Sequence, residues 1–124
     1  VLGFVPIDEP LLSLVFTERL CTTASLFGTN ILLPKTHVLL AMKLNSVINR
    51  DQVHKKIKDI ADIYALLWFS DVTLQQLKNQ LFPIYSKEQV RKTIQGFTKE
   101  DIEKTSIAIG ISTQEISRVL AELK

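Results

Sequence analysis

The sequence predicts a mainly α-helical bundle with a short N-terminal β element and a candidate C-terminal helix-turn-helix. Apolar residues recur at helical spacing through the centre of the chain, and three helix-capping signatures follow one another in its last third. β-branched runs and turn residues concentrate in the first third. With 124 residues, 46% of them hydrophobic and 23% charged, the composition is that of a chain with a buried core.

The first third carries the predicted β element. Val1–Val5 reads as the end of a strand, and Asp8–Pro10 as a helix start with acids in the first turn. The interval Arg19–Leu33 predicts a short hairpin, because Phe27–Asn30 has turn chemistry between two strand-forming runs. Since the chain opens at Val1 in an apolar stretch, we expect it to be a piece of a longer polypeptide.

Two long helices are predicted in the centre. Lys35–Ile48 places apolar residues on one face, and Asn49–Asp51 breaks the pattern with Asp51 as a candidate N-cap. A second helix follows over Gln52–Phe69. The short link makes the two helices antiparallel neighbours.

Shorter helices are predicted from Thr73 onwards. Asp71 or Thr73 can cap a helix that Pro83 stops. Residue pairs typical of a capping box then mark three further helices: Ser86 with Gln89, Thr98 with Asp101, and Ser112 with Glu115. We expect residues 1–84 to form one domain and residues 85–124 a small helical module.

Acidic residues stand in a segment that should be buried. Asp62 is the one residue of the apolar run Ile60–Phe69 that is charged at neutral pH, and Asp59 lies one turn before it. An unpaired buried charge is costly, so both acids need a partner. Lys43, set among apolar residues of the preceding helix, can meet both across the helix interface.

A structural interpretation and a functional one fit these charges. In the first, the acids are neutralised by i,i+4 neighbours (Lys55 with Asp59, Lys58 with Asp62), or Lys43 or Arg50 neutralises an acid merely to hold the helix pair in register. In the second, the cations bind nucleotide phosphates and a carboxylate orients the lysine, since cations beside phosphate stabilise a phosphoryl transition state.

The central segments resemble a protein family. The run Leu40–Leu44, then Arg50, then Lys58–Leu67 is similar to the second half of the AbiEii-type nucleotidyltransferases, the toxins of type IV toxin–antitoxin systems and their relatives. Thr29–Pro34 is similar to the short strand that enters the lysine helix of that family. The resemblance covers about Val1 to Phe69.

The resemblance implies a role for each matching position. Lys43 and Asp59 are the implied catalytic residues, with Lys43 on the triphosphate and Asp59 orienting it or acting near it. Arg50, Lys58 and Asp62 are the implied nucleotide-binding residues. It also implies Mg²⁺ and a nucleoside triphosphate, with RNA or protein as the acceptor. The family's Gly-Ser or Gly-Gly turn followed by Asp-x-Asp, which holds the metal ions, is missing here, so we expect a catalytically incomplete fragment.

The C-terminal helices suggest a second function. The run Thr105–Leu120 resembles a helix-turn-helix with Gly110 in the turn. The residues expected to face DNA are Ser112, Thr113, Gln114, Ser117 and Arg118. Capped helix pairs also build plain bundles, and Glu115 and Glu122 oppose phosphate contact. A structural interaction module without a ligand is therefore the third hypothesis.

Composition narrows the remaining classes. Cys21 is the single cysteine, so no disulfide forms within the chain and a cytoplasmic location is expected. No apolar run is long enough for a transmembrane helix, and no membrane partner is expected. His37 and His54 lack a neighbouring ligand pattern, so no metal site is predicted. The net charge of +2 decides nothing about nucleic acid.

Overall fold

The structure is a computed structural model that describes residues 21–26, 29–70 and 72–124. The strand predicted at Val1–Val5, the helix predicted from Pro10 and the candidate cap Asp71 lie outside these residues. Strands β1 (Cys21–Leu26) and β2 (Thr29–Pro34) pair antiparallel, with Cys21 opposite Pro34 and Leu26 opposite Thr29. They occupy the interval for which the sequence predicts a hairpin, and β2 leads directly into the first described helix.

Helices make up most of the described chain, so the prediction of a mainly α-helical protein is confirmed. The described helices are α1 (Thr36–Val47), α2 (Val53–Trp68), α3 (Leu74–Leu81), α4 (Lys87–Gln95), α5 (Lys99–Ile109) and α6 (Thr113–Leu123). Within the described residues, none of them combines the length and the apolar character that crossing a bilayer requires.

Helices α1 and α2 run antiparallel, as their short link predicts. Thr36 at the start of α1 and Phe69 just beyond α2 line the same cavity, while Ser46 near the end of α1 bonds to Asp59. The predicted cap at Asp51 is wrong. Gln52 occupies the N-cap position with an extended backbone and makes no side-chain cap bond, so Asp51 lies outside the helix.

Local capping chemistry fixes the beginnings of the shorter helices. Reciprocal capping boxes form at three of them: Thr73 with Gln76, Ser86 with Gln89, and Thr98 with Asp101. The fourth is half formed. Ser112 accepts a hydrogen bond from the backbone N–H of Glu115, but the Glu115 carboxylate binds Arg118 instead of returning to the cap.

The apolar faces of these helices meet in one core. Its fully buried members come from both sides of the predicted boundary between residues 84 and 85: Leu40, Leu44, Ile60, Ile63, Leu77 and Leu81 from one side, Val90, Ile116 and Leu123 from the other. Tyr85 is also buried, and its hydroxyl lies 2.9 Å from that of Thr93. The C-terminal helices therefore pack on the central pair, chiefly on α2.

The turn between α5 and α6 needs its glycine. Gly110 ends α5 with φ of 71°, in the left-handed region that side chains other than glycine disfavour. The Ser106 hydroxyl donates to the backbone oxygen of Ile111 across the turn. These two features define the path of the chain from α5 into α6.

Candidate functional site

Alternating charges line the interface between α1 and α2. Lys43 Nζ lies 3.2 Å from Asp59 Oδ1 and 2.8 Å from Asp62 Oδ2, and Arg50 Nε lies 2.7 Å from Asp59 Oδ2. The Ser46 hydroxyl donates to the same Asp59 oxygen at 3.2 Å. We call these five residues the Lys43 cluster. The predicted meeting of Lys43 with both acids is confirmed.

Asp59 is the buried centre of the cluster, only 1% exposed. Burial alone would raise the pKa of its carboxyl. Hydrogen bonds from Arg50 and Lys43, together with the attraction of both cations, outweigh burial and hold that pKa below its ordinary value. Because both oxygens already accept hydrogen bonds and the carboxylate stays ionised, Asp59 is suited to orienting the two cations.

Lys43 remains a cation at neutral pH. Burial lowers the pKa of its amine, but hydrogen bonds to Asp62 and then Asp59 outweigh that effect, so the pKa lies above its ordinary value. The ammonium group has three donors, and the two acids engage two of them. Its side chain is 31% exposed. As far as the described residues show, the third donor remains for a ligand that reaches the lysine from solvent.

A cavity of about 350 Å³ opens beside the cluster between α1 and α2. Lys43 and Asp62 are its charged lining residues, and the others are Thr36, Leu39, Ala65, Leu66, Phe69 and Ser70. Asp62 faces this cavity with 37% of its side chain exposed, whereas Asp59 is almost fully enclosed. Of the two acids, Asp62 is thus the one that a ligand can touch.

Three of the five predicted nucleotide-site residues do not line this cavity: Asp59, Arg50 and Lys58. Arg50 belongs to the cluster through Asp59 but does not line the cavity. Lys58 is exposed on another face of α2, where it lines a second depression together with Lys104. The i,i+4 pairs of Lys55 with Asp59 and Lys58 with Asp62 do not form. Lys43 of α1 and Arg50 of the link between the two helices bind these acids instead.

The resemblance implies Mg²⁺, but the cluster's carboxylates do not suit that ion. Both oxygens of Asp59 are occupied by hydrogen-bond donors, and one oxygen of Asp62 binds Lys43. Magnesium needs oxygen ligands free of such cations. In the described part of the chain, no group of three or more His, Cys, Asp or Glu side chains is arranged to hold a metal ion. The cations do suit phosphate oxygens.

The five residues predicted to face DNA extend from the N-cap of α6 to the middle of that helix. Ser112 is its N-cap, and Gln114 and Ser117 are exposed. Arg118 binds Glu115 and, at 2.8 Å, Glu122. These three charges form an exposed network on the outside of the helix that occupies the one arginine of the set.

The sequence analysis predicted neither the bond of Ser46 to Asp59 nor the pairing of Lys56 with Asp101. Ser46 lies one turn after Lys43, and that spacing was a usable signal for its place in the cluster. The ion pair of Lys56 with Asp101 joins α2 to α5 at 2.7 Å. No local pattern predicts it, since the two residues meet only through tertiary packing.

Comparisons with family models, curated proteins and solved structures gave no match.

Asp59 and Asp101 should make stability depend on acid pH. Burial raises the pKa of Asp101, but hydrogen bonds from Lys56 and Thr98 outweigh it, so the pKa of each acid is lowered on folding. Between the folded and unfolded pKa values the unfolded chain binds more protons, so stability falls as pH drops below about 4. Urea unfolding at a series of pH values should show this loss. Asp59→Asn should reduce it, and an equal loss in wild type and variant would contradict the account.

Proposed function

We propose that this chain is part of an AbiEii-like nucleotidyltransferase and contributes its triphosphate-binding residues. One observation carries the proposal: Lys43, held by Asp59 and Asp62, lies at the edge of the cavity between α1 and α2. A cation fixed by two carboxylates, one of them buried, beside an open cavity is pre-organised for an anion, because its position is set before the ligand arrives.

In this proposal Lys43 donates to the phosphates of a nucleoside triphosphate. Asp59 holds the ammonium and the Arg50 guanidinium in place. Among the described residues, Arg50 is engaged only through Nε, so its other N–H groups are offered to a phosphate that extends beyond the cavity. Positive charge placed there stabilises a phosphoryl transition state. The N-terminus of α1, which has no side-chain cap, adds favourable potential beside Thr36.

The proposal assigns binding and orientation to this chain. The metal-binding Asp-x-Asp pair of the resembled family is not in its sequence, so we derive no transfer step from the cluster. The acceptor, RNA or protein, would meet the nucleotide where the metal-binding residues are supplied. The β element before α1 would be the strand that enters the lysine helix. We place the protein in the cytoplasm, consistent with its single cysteine.

Triphosphate titrations test the proposal. Each of the four common nucleoside triphosphates is titrated into the 124-residue chain, and binding is followed by isothermal titration calorimetry and by Trp68 fluorescence. Trp68 is the single tryptophan and immediately precedes Phe69, which lines the cavity. Lys43→Met should weaken binding about tenfold to a hundredfold, because it removes a charge-assisted hydrogen bond.

The same change at Lys58 is the matched control. Lys58 lies on another face of α2, so Lys58→Met should leave triphosphate affinity within about twofold, as expected for a surface charge outside the site. No binding at millimolar triphosphate would overturn the proposal, and so would equal losses in the two variants.

A helix-turn-helix that binds DNA is the second candidate. It is favoured by the left-handed turn at Gly110 and by the exposed polar residues that follow it. The pairing of Arg118 with two glutamates weighs against it, because phosphate contact would have to displace them. A titration with duplex DNA at two salt concentrations distinguishes the candidates. Salt-dependent binding that is lost in Arg118→Ala supports DNA binding. If neither duplex DNA nor triphosphate binds, a structural module is favoured.

A further inference from the structure

A second depression lies between α2 and α5, apart from the Lys43 cluster. Its volume is about 730 Å³. Such volumes are typical of small-molecule sites, which span about 300–1,000 Å³. We call it the α2–α5 groove. It is lined by Val53, His54, Ile57, Lys58 and Ala61 of α2 and by Lys104, Ala108 and Ile109 of α5.

Small side chains leave the space of the groove open, and an ion pair joins the two helices that form it. Ala61 and Ala108 line it from opposite helices, where larger side chains would fill the space. Lys56 and Asp101 join the same two helices at 2.7 Å, with only 24% and 11% of their side chains exposed. Asp101 also caps α5, so this contact fixes the start of α5 against α2.

The groove combines apolar walls with basic groups, and none of the described residues that line it is acidic. His54 and Lys58 come from α2 and Lys104 from α5. In the described part of the chain Lys58 makes no ion pair. Lys104 pairs with Glu100 at 2.9 Å, but both side chains are largely exposed and such pairs contribute little. An anionic group at this position is therefore favoured.

Apolar side chains at and near the groove are exposed. Val53, which lines the groove, is 51% exposed, and Ile107, which precedes Ala108 on α5, is 85% exposed. A polyanion such as nucleic acid would leave these walls unused. A second copy of the chain docked by the same surface would bring basic groups together. A molecule with an apolar body and one anionic head uses both features.

We propose that the α2–α5 groove binds an amphipathic anion, with the apolar body between Ala61 and Ala108 and a carboxylate or phosphate head near Lys58 and Lys104. The site is independent of the triphosphate site proposed at Lys43. The same chemistry is found in a free fatty acid or alkyl phosphate and in the anionic lipids of a membrane surface.

The two histidines of the chain give a built-in reporter pair. His54 lines the groove, whereas His37 is buried in α1, only 7% exposed. Decanoate or decyl phosphate, below the micelle concentration and at constant pH, should shift the His54 ring signals saturably in NMR spectra and leave those of His37 in place. Decanol has the apolar chain without the anionic head, and inorganic phosphate has the anionic group without the chain. Each should bind at least about tenfold more weakly.

Two variants localise the site. Lys58→Gln combined with Lys104→Gln should raise the dissociation constant about tenfold, as expected for the loss of two surface charge contacts. Ala108→Trp should fill the groove and abolish the shift. Ala108 is exposed, so this variant should remain folded, which circular dichroism checks. Sedimentation with phosphatidylglycerol vesicles distinguishes a membrane lipid from a soluble ligand. If the protein sediments with the vesicles and both variants reduce this binding, the ligand is a membrane lipid. If the protein binds only the free anion, the ligand is soluble.

The outcomes against the proposal are equally defined. Absence of a saturable His54 shift would overturn it, as would a shift that neither variant changes. A dimer that dissociates in Ala108→Trp, seen by analytical ultracentrifugation, would also overturn it by assigning the groove to a second copy of the chain.

Discussion

Removing both cations of Asp59, in the double variant Lys43→Met with Arg50→Leu, should lower the free energy of unfolding by about 3–5 kcal/mol. Asp59 is 1% exposed and its carboxylate would then lie buried without a cation. Lys43 and Arg50 are each about one-third exposed, so the cost arises mainly from the stranded acid. Guanidinium unfolding followed by circular dichroism measures it.

A third substitution separates charge from packing. Asp59→Asn keeps the shape of the side chain and removes its charge, so adding it to the double variant should recover most of the loss. The Ser46 hydroxyl remains as a partner for the amide. The matched control, Lys55→Met with Lys58→Leu on exposed positions of α2, should change stability by less than about 0.5 kcal/mol. A small effect of the double variant, or no recovery with Asn, would contradict the account.

Ile63→Ala should destabilise the protein by about 2–5 kcal/mol, because it leaves a cavity in a fully enclosed part of the core. Ile63 follows Asp62 directly and helps to fix the rotation of α2 that turns Asp59 and Asp62 towards α1. The same substitution at Ile107, which is 85% exposed, should change stability by less than about 0.5 kcal/mol. Denaturant unfolding of both variants measures the difference, and a loss at Ile63 as small as that at Ile107 would show that α2 is rotated differently.

Local chemistry made much of the helical structure predictable. A capping box needs only two residues one turn apart, so it can be recognised in the sequence. The pairs Ser86 with Gln89 and Thr98 with Asp101 therefore predicted where two helices begin. At Ser112 the predicted capping box forms only in part, because Arg118 competes for the Glu115 carboxylate. Sequence spacing shows which hydrogen-bond partners a side chain can reach. Which of them it binds depends also on competing side chains one turn further along the helix.

The candidate site was predictable only in part. The apolar flanks of Asp59 and Asp62 showed that these acids needed partners, and the short link supplied Lys43 from the neighbouring helix. Sequence spacing could not show that Lys58 lies on another face, since a helix presents every side and tertiary packing decides which side is covered. The pairing of Lys56 with Asp101 and the groove beside it depend on the docking of α5, about which α2 alone carries no information.

The location of triphosphate binding tests the central claim most directly. Backbone amide NMR spectra of the 124-residue chain, recorded during titration with the triphosphate that binds most tightly, report which residues respond. The account predicts saturable shifts centred on Lys43, Ser46 and Asp62, with little change along α5 and α6. Shifts centred on α6, or none at millimolar triphosphate, would contradict it.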